Sequence, residues 1–299
     1  MKNSKPIFDD KTNSGDNIGR ISFANRKLSK KVMAQEKRKF FKEIDESSTS
    51  AKTKVLVNRE SFLLRYVAAS VVFLISLAVL FSYDRQTYQT SYGEVSSTSL
   101  PDGTNVTLNG NSSISYSYLY WQLFDKRRVK LKGEAFFEVV KRTSSGVDIK
   151  FQVITENLNV EVLGTKFNVI DRGDREVVVL EEGKVQVKLS STEKPLQLSP
   201  GGYISYDKIN HRFEQSTVIT EGFTSWKDNY IVLDNKTLGD LAQIITTVYG
   251  KKVVFKNDED KQIILQGKVP SDEIEVLVEA LRLATKLDVS MKGYIVFIN

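Results

Sequence analysis

The spacing of hydrophobic and polar residues changes several times along the chain, and each change predicts a different element. Residues 1–20 are polar, contain Pro6, Gly15 and Gly19, and predict no regular structure. Residues 25–46 place Leu28, Val32, Met33, Phe40, Phe41 and Ile44 in a broken helical stripe among lysines, with Ser47-Ser48-Thr49-Ser50 as the expected stop. Tyr66 to Tyr83 reads YVAASVVFLISLAVLFSY and carries no charge. At ~1.5 Å per residue it spans roughly 27 Å, which predicts one transmembrane helix at 66–83 with Tyr66 and Tyr83 at the interfaces. A buried core helix of that length is rarely apolar on every side. A cleaved signal peptide does not fit a 65-residue leader with no small-x-small site after Phe81.

From Gly93 to Tyr206 the apolar period shortens to two, in runs such as Val106-Thr107-Leu108, Ile114-Ser115-Tyr116, Val160-Glu161-Val162 and Val185-Gln186-Val187. Asn109-Gly110 carries the chemistry of a tight hairpin turn. The alternation changes phase across Gly164-Thr165, from Leu158, Val160 and Val162 to Phe167 and Val169, which requires a bulge or corner there. No long helix interrupts the region, so 93–206 predicts an all-β unit of stacked, solenoid-like strands, although its glycine spacing is irregular. Residues 207–229 read as a linker containing Trp226. Residues 230–299 form an approximate repeat of two strand–helix–strand units, a small α+β domain. In the first unit Leu238, Leu241, Ile245 and Val248 have helical spacing, Asn235 or Thr237 is a cap and Gly250 a stop; in the second, Ile263-Ile264-Leu265 leads to a helix capped by Ser271 with Val278, Leu281 and Ala284 inward. The expected whole is a membrane-anchored, multidomain chain.

Charge sharpens this picture. Residues 1–65 hold 16 Lys+Arg and 8 Asp+Glu, whereas residues 84–299 hold the other 27 and 29. The net charge of +6 therefore sits at one end, unlike the charge of a uniformly basic nucleic-acid binder. Lys52, Lys54, Arg59 and Arg65 precede the apolar run and only Arg85 closely follows it, which predicts a cytoplasmic N-terminus and a periplasmic C-terminus at the inner membrane. The basic segment has too little apolar surface to fold alone. It reads as a docking segment for a cytoplasmic partner, a helix lying on anionic lipid, or an inert tail. Cysteine is absent and His211 is the one histidine, in a polar run, so neither a thiolate nor a histidine-based centre is expected, and no cofactor. Glu134, Glu138, Glu181 and Glu182 fall in alternating strands or their turns and read as a solvated face.

Five motifs follow in order: Leu100-Pro-Asp-Gly-Thr104, Gly133-Glu-Ala-Phe-Phe-Glu-Val139, Leu163-Gly-Thr-Lys-Phe-Asn-Val169, Leu180-Glu-Glu-Gly-Lys-Val-Gln-Val187 and Leu198-Ser-Pro-Gly-Gly202. Together they resemble the periplasmic domain of FecR-family anti-sigma factors. Residues 230–299 resemble the C-terminal domain of FecR proteins from glycan- and iron-scavenging Gram-negative bacteria, related to the short N-terminal domain of secretins and TonB-dependent transducers. The cytoplasmic segment departs from the family, whose members carry a longer helical region, often with tryptophan; Trp121 and Trp226 both follow the apolar run.

The resemblance implies a relay. The signalling domain of a TonB-dependent outer-membrane transporter would contact the periplasmic part, and residues 1–65 would release or activate an extracytoplasmic-function sigma factor. Leu28, Val32, Phe40, Phe41 and Ile44 are the candidate partner-binding residues. The rival is an envelope adaptor or assembly factor with an inert tail. Some FecR relatives cleave themselves at a matching Gly-Thr bond; here Thr165 Oγ would attack the Gly164 carbonyl in an N→O acyl shift, at a site where a strained turn could store energy.

Overall fold

The computed structural model describes residues 30–124, 126–189 and 194–299, with the side chains of 46–63 and 80–83 outside the description. Leu28 falls outside the described residues. The chain divides into two compact units, the first ending at Leu74 and the second running Ile75–Asn299.

Helix α1 (Lys30–Tyr83) is continuous over 54 residues, so Ser47–Ser50 do not end it. No proline or glycine falls within it, and hydroxyl residues alone lower helix propensity by only ~0.5 kcal/mol each. Among the described residues no helix is long and apolar enough to cross a membrane, which corrects the transmembrane helix expected at 66–83.

The β region opens with β1 (Arg85–Gln89), β2 (Ser96–Ser99), β3 (Asn105–Leu108), β4 (Ser113–Ser117), helix α2 (Tyr118–Phe124) and the long β5 (Arg127–Glu138). A small hairpin follows, β6 (Thr143–Ser144) with β7 (Val147–Asp148), then β8 (Phe151–Ile154), β9 (Leu158–Val162), β10 (Lys166–Arg172) and β11 (Arg175–Glu182). It ends with β12 (Val185–Leu189), β13 (Leu196–Leu198), β14 (Gly202–Asp207) and β15 (Arg212–Thr217). All but β6 and β7 form one 13-stranded sheet, ordered β13-β12-β9-β8-β5-β10-β11-β14-β15, with β1–β4 attached beside β5.

The sheet is creased into two wings that share β5. Its first half pairs with β4 and β8, and its second half, from Gly133 on, pairs with β3 and β10. Gly133 makes the crease: its φ is +89°, and a Cβ there would lie 2.6 Å from Ser112 Oγ. The chain passes from wing to wing repeatedly, and each passage contains a glycine: Gly93, Gly110, Gly133, Gly146, Gly164, Gly183 and the Gly201-Gly202 pair. This corrects the stacked, solenoid-like expectation. Stacked coils pair parallel neighbours one repeat apart, whereas here every pairing in the sheet except β5–β8 is antiparallel. The sheet curls into a half-barrel whose ends approach where Gln215 donates to the Gln197 carbonyl at 3.2 Å. Asn109-Gly110 is likewise not a hairpin turn, because β3 and β4 pair with β5 and not with each other.

Both wings enclose one core, in which Phe137 stacks on Phe167 at 5.1 Å and meets Phe151 at 6.1 Å. Arg127, at the start of β5, ties the loops over one end of it. Its Nη1 donates to Asp102 at 2.9 Å and to the Val140 carbonyl at 2.7 Å, and its Nη2 donates to the Ile149 and Leu163 carbonyls. Asp102 also accepts from the Thr104 amide and hydroxyl, so the Leu-Pro-Asp-Gly-Thr motif is the receptacle for this arginine.

The stretch 207–229 holds β15, then α3 (Glu221–Thr224) and a 3-10 turn at Ser225–Asp228. After it come β16 (Tyr230–Val232), β17 (Lys236–Thr237), α4 (Leu238–Tyr249) and β18 (Lys252–Phe255). The second repeat comprises β19 (Ile264–Leu265), β20 (Lys268–Pro270), α5 (Ile274–Thr285), β21 (Val289–Lys292) and β22 (Ile295–Ile298). The repeats interlock: β16 pairs with β20, and β18 lies parallel to β22. Thr237 caps α4 in a reciprocal box with Asp240, and Gly250 closes it at φ +68°. Ser271 does not cap α5, which begins after Glu273, and Ala284 is exposed.

The Arg127–Asp102 pair is 4% and 1% exposed, so Arg127→Met leaves a buried carboxylate uncompensated. We expect a loss of ~3–5 kcal/mol in urea unfolding of the second unit, with Asp102→Asn recovering part of it in the double variant.

Candidate functional site

Two adjacent phenylalanines in a strand point to opposite faces, so both faces of the second half of β5 must be covered. Phe137 enters the core. Phe136 faces the other way, and Lys227 Nζ sits 4.4 Å over its ring. Glu134 shares that outer face and is buried, which corrects its reading as a solvated acid. Asn109 Nδ2 donates to one of its oxygens at 2.8 Å and Asn168 Nδ2 to the other at 2.9 Å. Arg172 Nε lies 3.9 Å away, an ion pair beyond hydrogen-bond reach.

Arg172 joins this face to α4. The last turn of a helix leaves carbonyls without intrahelical partners, and a cation there also suits the helix dipole. Arg172 Nη1 donates to the Thr247 carbonyl at 2.8 Å, Asn111 Nδ2 donates to the same oxygen at 3.2 Å, and the Gly93 amide donates to the Val248 carbonyl at 2.8 Å. Close approach requires glycine: a Cβ on Gly110 would lie 2.7 Å from the Val248 carbonyl. The β corner thus caps the C-terminal end of α4.

Between the outer face and α4 lies a cavity of about 360 Å³, lined by residues along the helix from Asp240 to Tyr249. Phe223, Trp226, Tyr203, Ile244 and Val177 give it an apolar wall, and Glu134, Arg172, Arg175, Lys236 and Asp240 give it charge. Burial raises the Glu134 pKa above the ordinary glutamate value, opposed in part by Arg172 and the two amides. Burial pushes the Lys236 ammonium below the ordinary lysine value, opposed by Asp240 and Glu134.

The partner residues expected on α1 are exposed: Val32, Phe40, Phe41 and Ile44, together with Met33. At ~100° per residue, Met33, Phe40 and Ile44 fall within ~40° of one another, Phe41 flanks them, and Val32 lies ~80° outside this group. Gly164 and Thr165 sit at the passage from β9 to β10. Thr165 exchanges backbone hydrogen bonds with Val139 at 3.0 and 3.3 Å, and its buried hydroxyl donates to the Lys184 carbonyl at 3.1 Å. Gly164 is outside the left-handed region, so the strained turn expected there is absent; glycine is required because Lys141 Cβ lies 2.9 Å from where a Cβ would be. The sheet irregularity falls one step later, between Lys166 and Phe167. His211 Nδ1 is 2.9 Å from Tyr206 Oη.

Glu156, Asp171 and Glu176 bring carboxylate oxygens within 4.8 Å of one another, as a metal site would. Lys208 Nζ lies among them, 2.8, 2.7 and 3.6 Å from the three, and supplies the positive charge. Burial works against its ammonium, but hydrogen bonds to Asp171 and Glu156 outweigh it and hold its pKa above the ordinary lysine value.

The family described as "FecR protein" matches residues 86–186, and that described as "FecR, C-terminal" matches residues 230–298. Two crystal structures of a protein described as an anti-sigma factor from Parabacteroides distasonis ATCC 8503, at 1.65 and 2.50 Å, align with TM-scores of 0.61 and 0.60. Each is 22% identical and covers 72% of this chain and 98% of that one, a likeness of fold. No curated protein matches the sequence.

With its pKa raised in the fold, Glu134 contributes stability at low pH that is lost as pH rises above the ordinary glutamate value. Glu134→Gln mimics the protonated acid, and a turned Asn168 amide offers it the Oδ1 that otherwise lacks a partner. We expect the variant to lie within ~1 kcal/mol of wild type at low pH and to gain on it as pH rises, read from melting temperatures of both across pH. A constant difference would overturn the assignment.

Proposed function

Since this chain belongs to the FecR family of anti-sigma factors, we propose that it binds an extracytoplasmic-function sigma factor through α1 and takes its signal from a TonB-dependent outer-membrane transporter. The observation that carries the sigma reading is the exposure of Met33, Phe40 and Phe41 at 60%, 62% and 59% on a lysine-rich helix. Apolar anchors of this size suit insertion into a partner's groove, with lysines at the rim. Phe40 and Phe41 already meet edge to face at 6.2 Å and present a single aromatic ridge. The transporter's signalling domain is a protein partner, and no nucleic acid or cofactor enters the reading.

Location is part of the same proposal: the inner membrane, with residues 1–65 on the cytoplasmic side and the β and α+β regions in the periplasm. Its support is the charge imbalance around the apolar run and the exposed Leu64, Val72, Phe73, Leu74 and Ile75 side chains.

Two experiments test these statements. The full chain should co-purify with one sigma factor, and Phe40→Ser with Phe41→Ser should weaken the complex more than ~10-fold, at ~2 kcal/mol for a strong anchor. Replacing Lys37 and Lys39 by Gln should do less; an equal loss would make the contact electrostatic and sink the anchor reading. A reporter active only in the periplasm should work when fused after Asn299 and fail after Ser50, and the reverse pattern would invert the orientation.

A further inference from the structure

The cavity beside α4 has features that the junction itself does not require. Arg172 and Lys236 both face it, and neither is fully satisfied. The Arg172 side chain is 8% exposed, and its Nε has no hydrogen-bond partner although Nη1 and Nη2 are engaged. Lys236 Nζ has no hydrogen-bond acceptor among the described residues; it lies 5.0 Å over the Phe223 ring. An ammonium held against an aromatic face in a half-enclosed space lacks the oxygen that would complete it.

The acids in the cavity do not fill that role. Asp240 Oδ2 is taken by the Thr237 amide and hydroxyl, both at 2.8 Å, in the cap of α4. Each Glu134 oxygen already accepts from a side-chain amide. Three cations, Arg172, Arg175 and Lys236, thus line the cavity against two acids, Glu134 and Asp240, which leaves an excess of one positive charge. The volume of about 360 Å³ falls at the lower end of the ~300–1,000 Å³ that small ligands occupy. The lining is largely apolar.

We propose that this cavity binds a small organic monocarboxylate with an apolar or aromatic body, its carboxylate on Lys236 and its body against Phe223, Tyr203 and Ile244. The ligand touches the β face and α4 together, so it adds a contact across the junction. This site goes beyond the sigma and transporter contacts and does not depend on either.

The full chain in detergent micelles is titrated with 3-phenylpropanoate and, as a charge-free control, 3-phenylpropanamide, by calorimetry. The carboxylate should bind at least tenfold more tightly than the amide. Lys236→Met should reduce carboxylate binding to the level of the amide. A Cβ on Gly222 would meet nothing within 4 Å, so Gly222→Phe should fill the cavity without disturbing the buried charges and should abolish binding of both. An acidic tetrapeptide serves as the macromolecular control. Equal binding of acid and amide, binding of neither, binding of the peptide alone, or carboxylate binding that survives Gly222→Phe would each overturn the proposal.

Discussion

A strand that belongs to two wings has to bend without losing its ladder, and most of the second unit follows from how β5 does so. Gly133 takes the positive φ, and Ser112 fills the space a side chain would occupy, with its hydroxyl accepting from the Glu134 amide at 3.0 Å. The neighbouring passage 109–112 turns at the same place, because β3 and β4 pair with opposite halves of β5. Two bends in register make a crease, and the crease sets the angle at which both inner faces close over one core.

The crease also presents a concave corner to the outside. Its backbone and side-chain donors, from Gly93, Asn111 and Arg172, point at the carbonyls that end α4. Docking of the α+β region is therefore a helix cap supplied by another part of the fold. It buries Glu134 and half-buries Lys236, and the shifts of their ionisation in opposite senses follow from that burial.

Much of this was legible along the chain. Period-two alternation marked the strands, and Thr237 and Gly250 marked the ends of α4. The five motifs identified the family, and the structure shows what several of them are: Asp102 and Thr104 receive Arg127, and Gly133, Gly164, Gly183 and Gly201-Gly202 are passages between wings. What was not legible depends on partners distant in sequence. Asn109-Gly110 has hairpin chemistry, yet its flanking strands find β5 before each other. Glu134 looked solvated because alternation alone says which residues share a face, not whether that face is covered. The adjacent Phe136 and Phe137 did carry that information, since an aromatic on each side of a strand is costly to leave in water. The stop expected at Ser47–Ser50 failed because weak local preferences do not break a helix that contains neither proline nor glycine.

The interlocked repeats of the α+β region have a consequence for synthesis on the ribosome. β16 waits for β20, β17 for β19, and β18 for β22, so the earlier repeat emerges with three strands whose lateral partners among the described residues are still untranslated. Leu238, Leu241 and Ile245 likewise share one core with Leu277, Leu281 and Ile298. The region cannot acquire its fold vectorially, half by half. Its last pairing forms when 295–298 arrives beside Lys252–Phe255, and until then that unpaired edge is the part of the nascent chain most in need of protection from other strands.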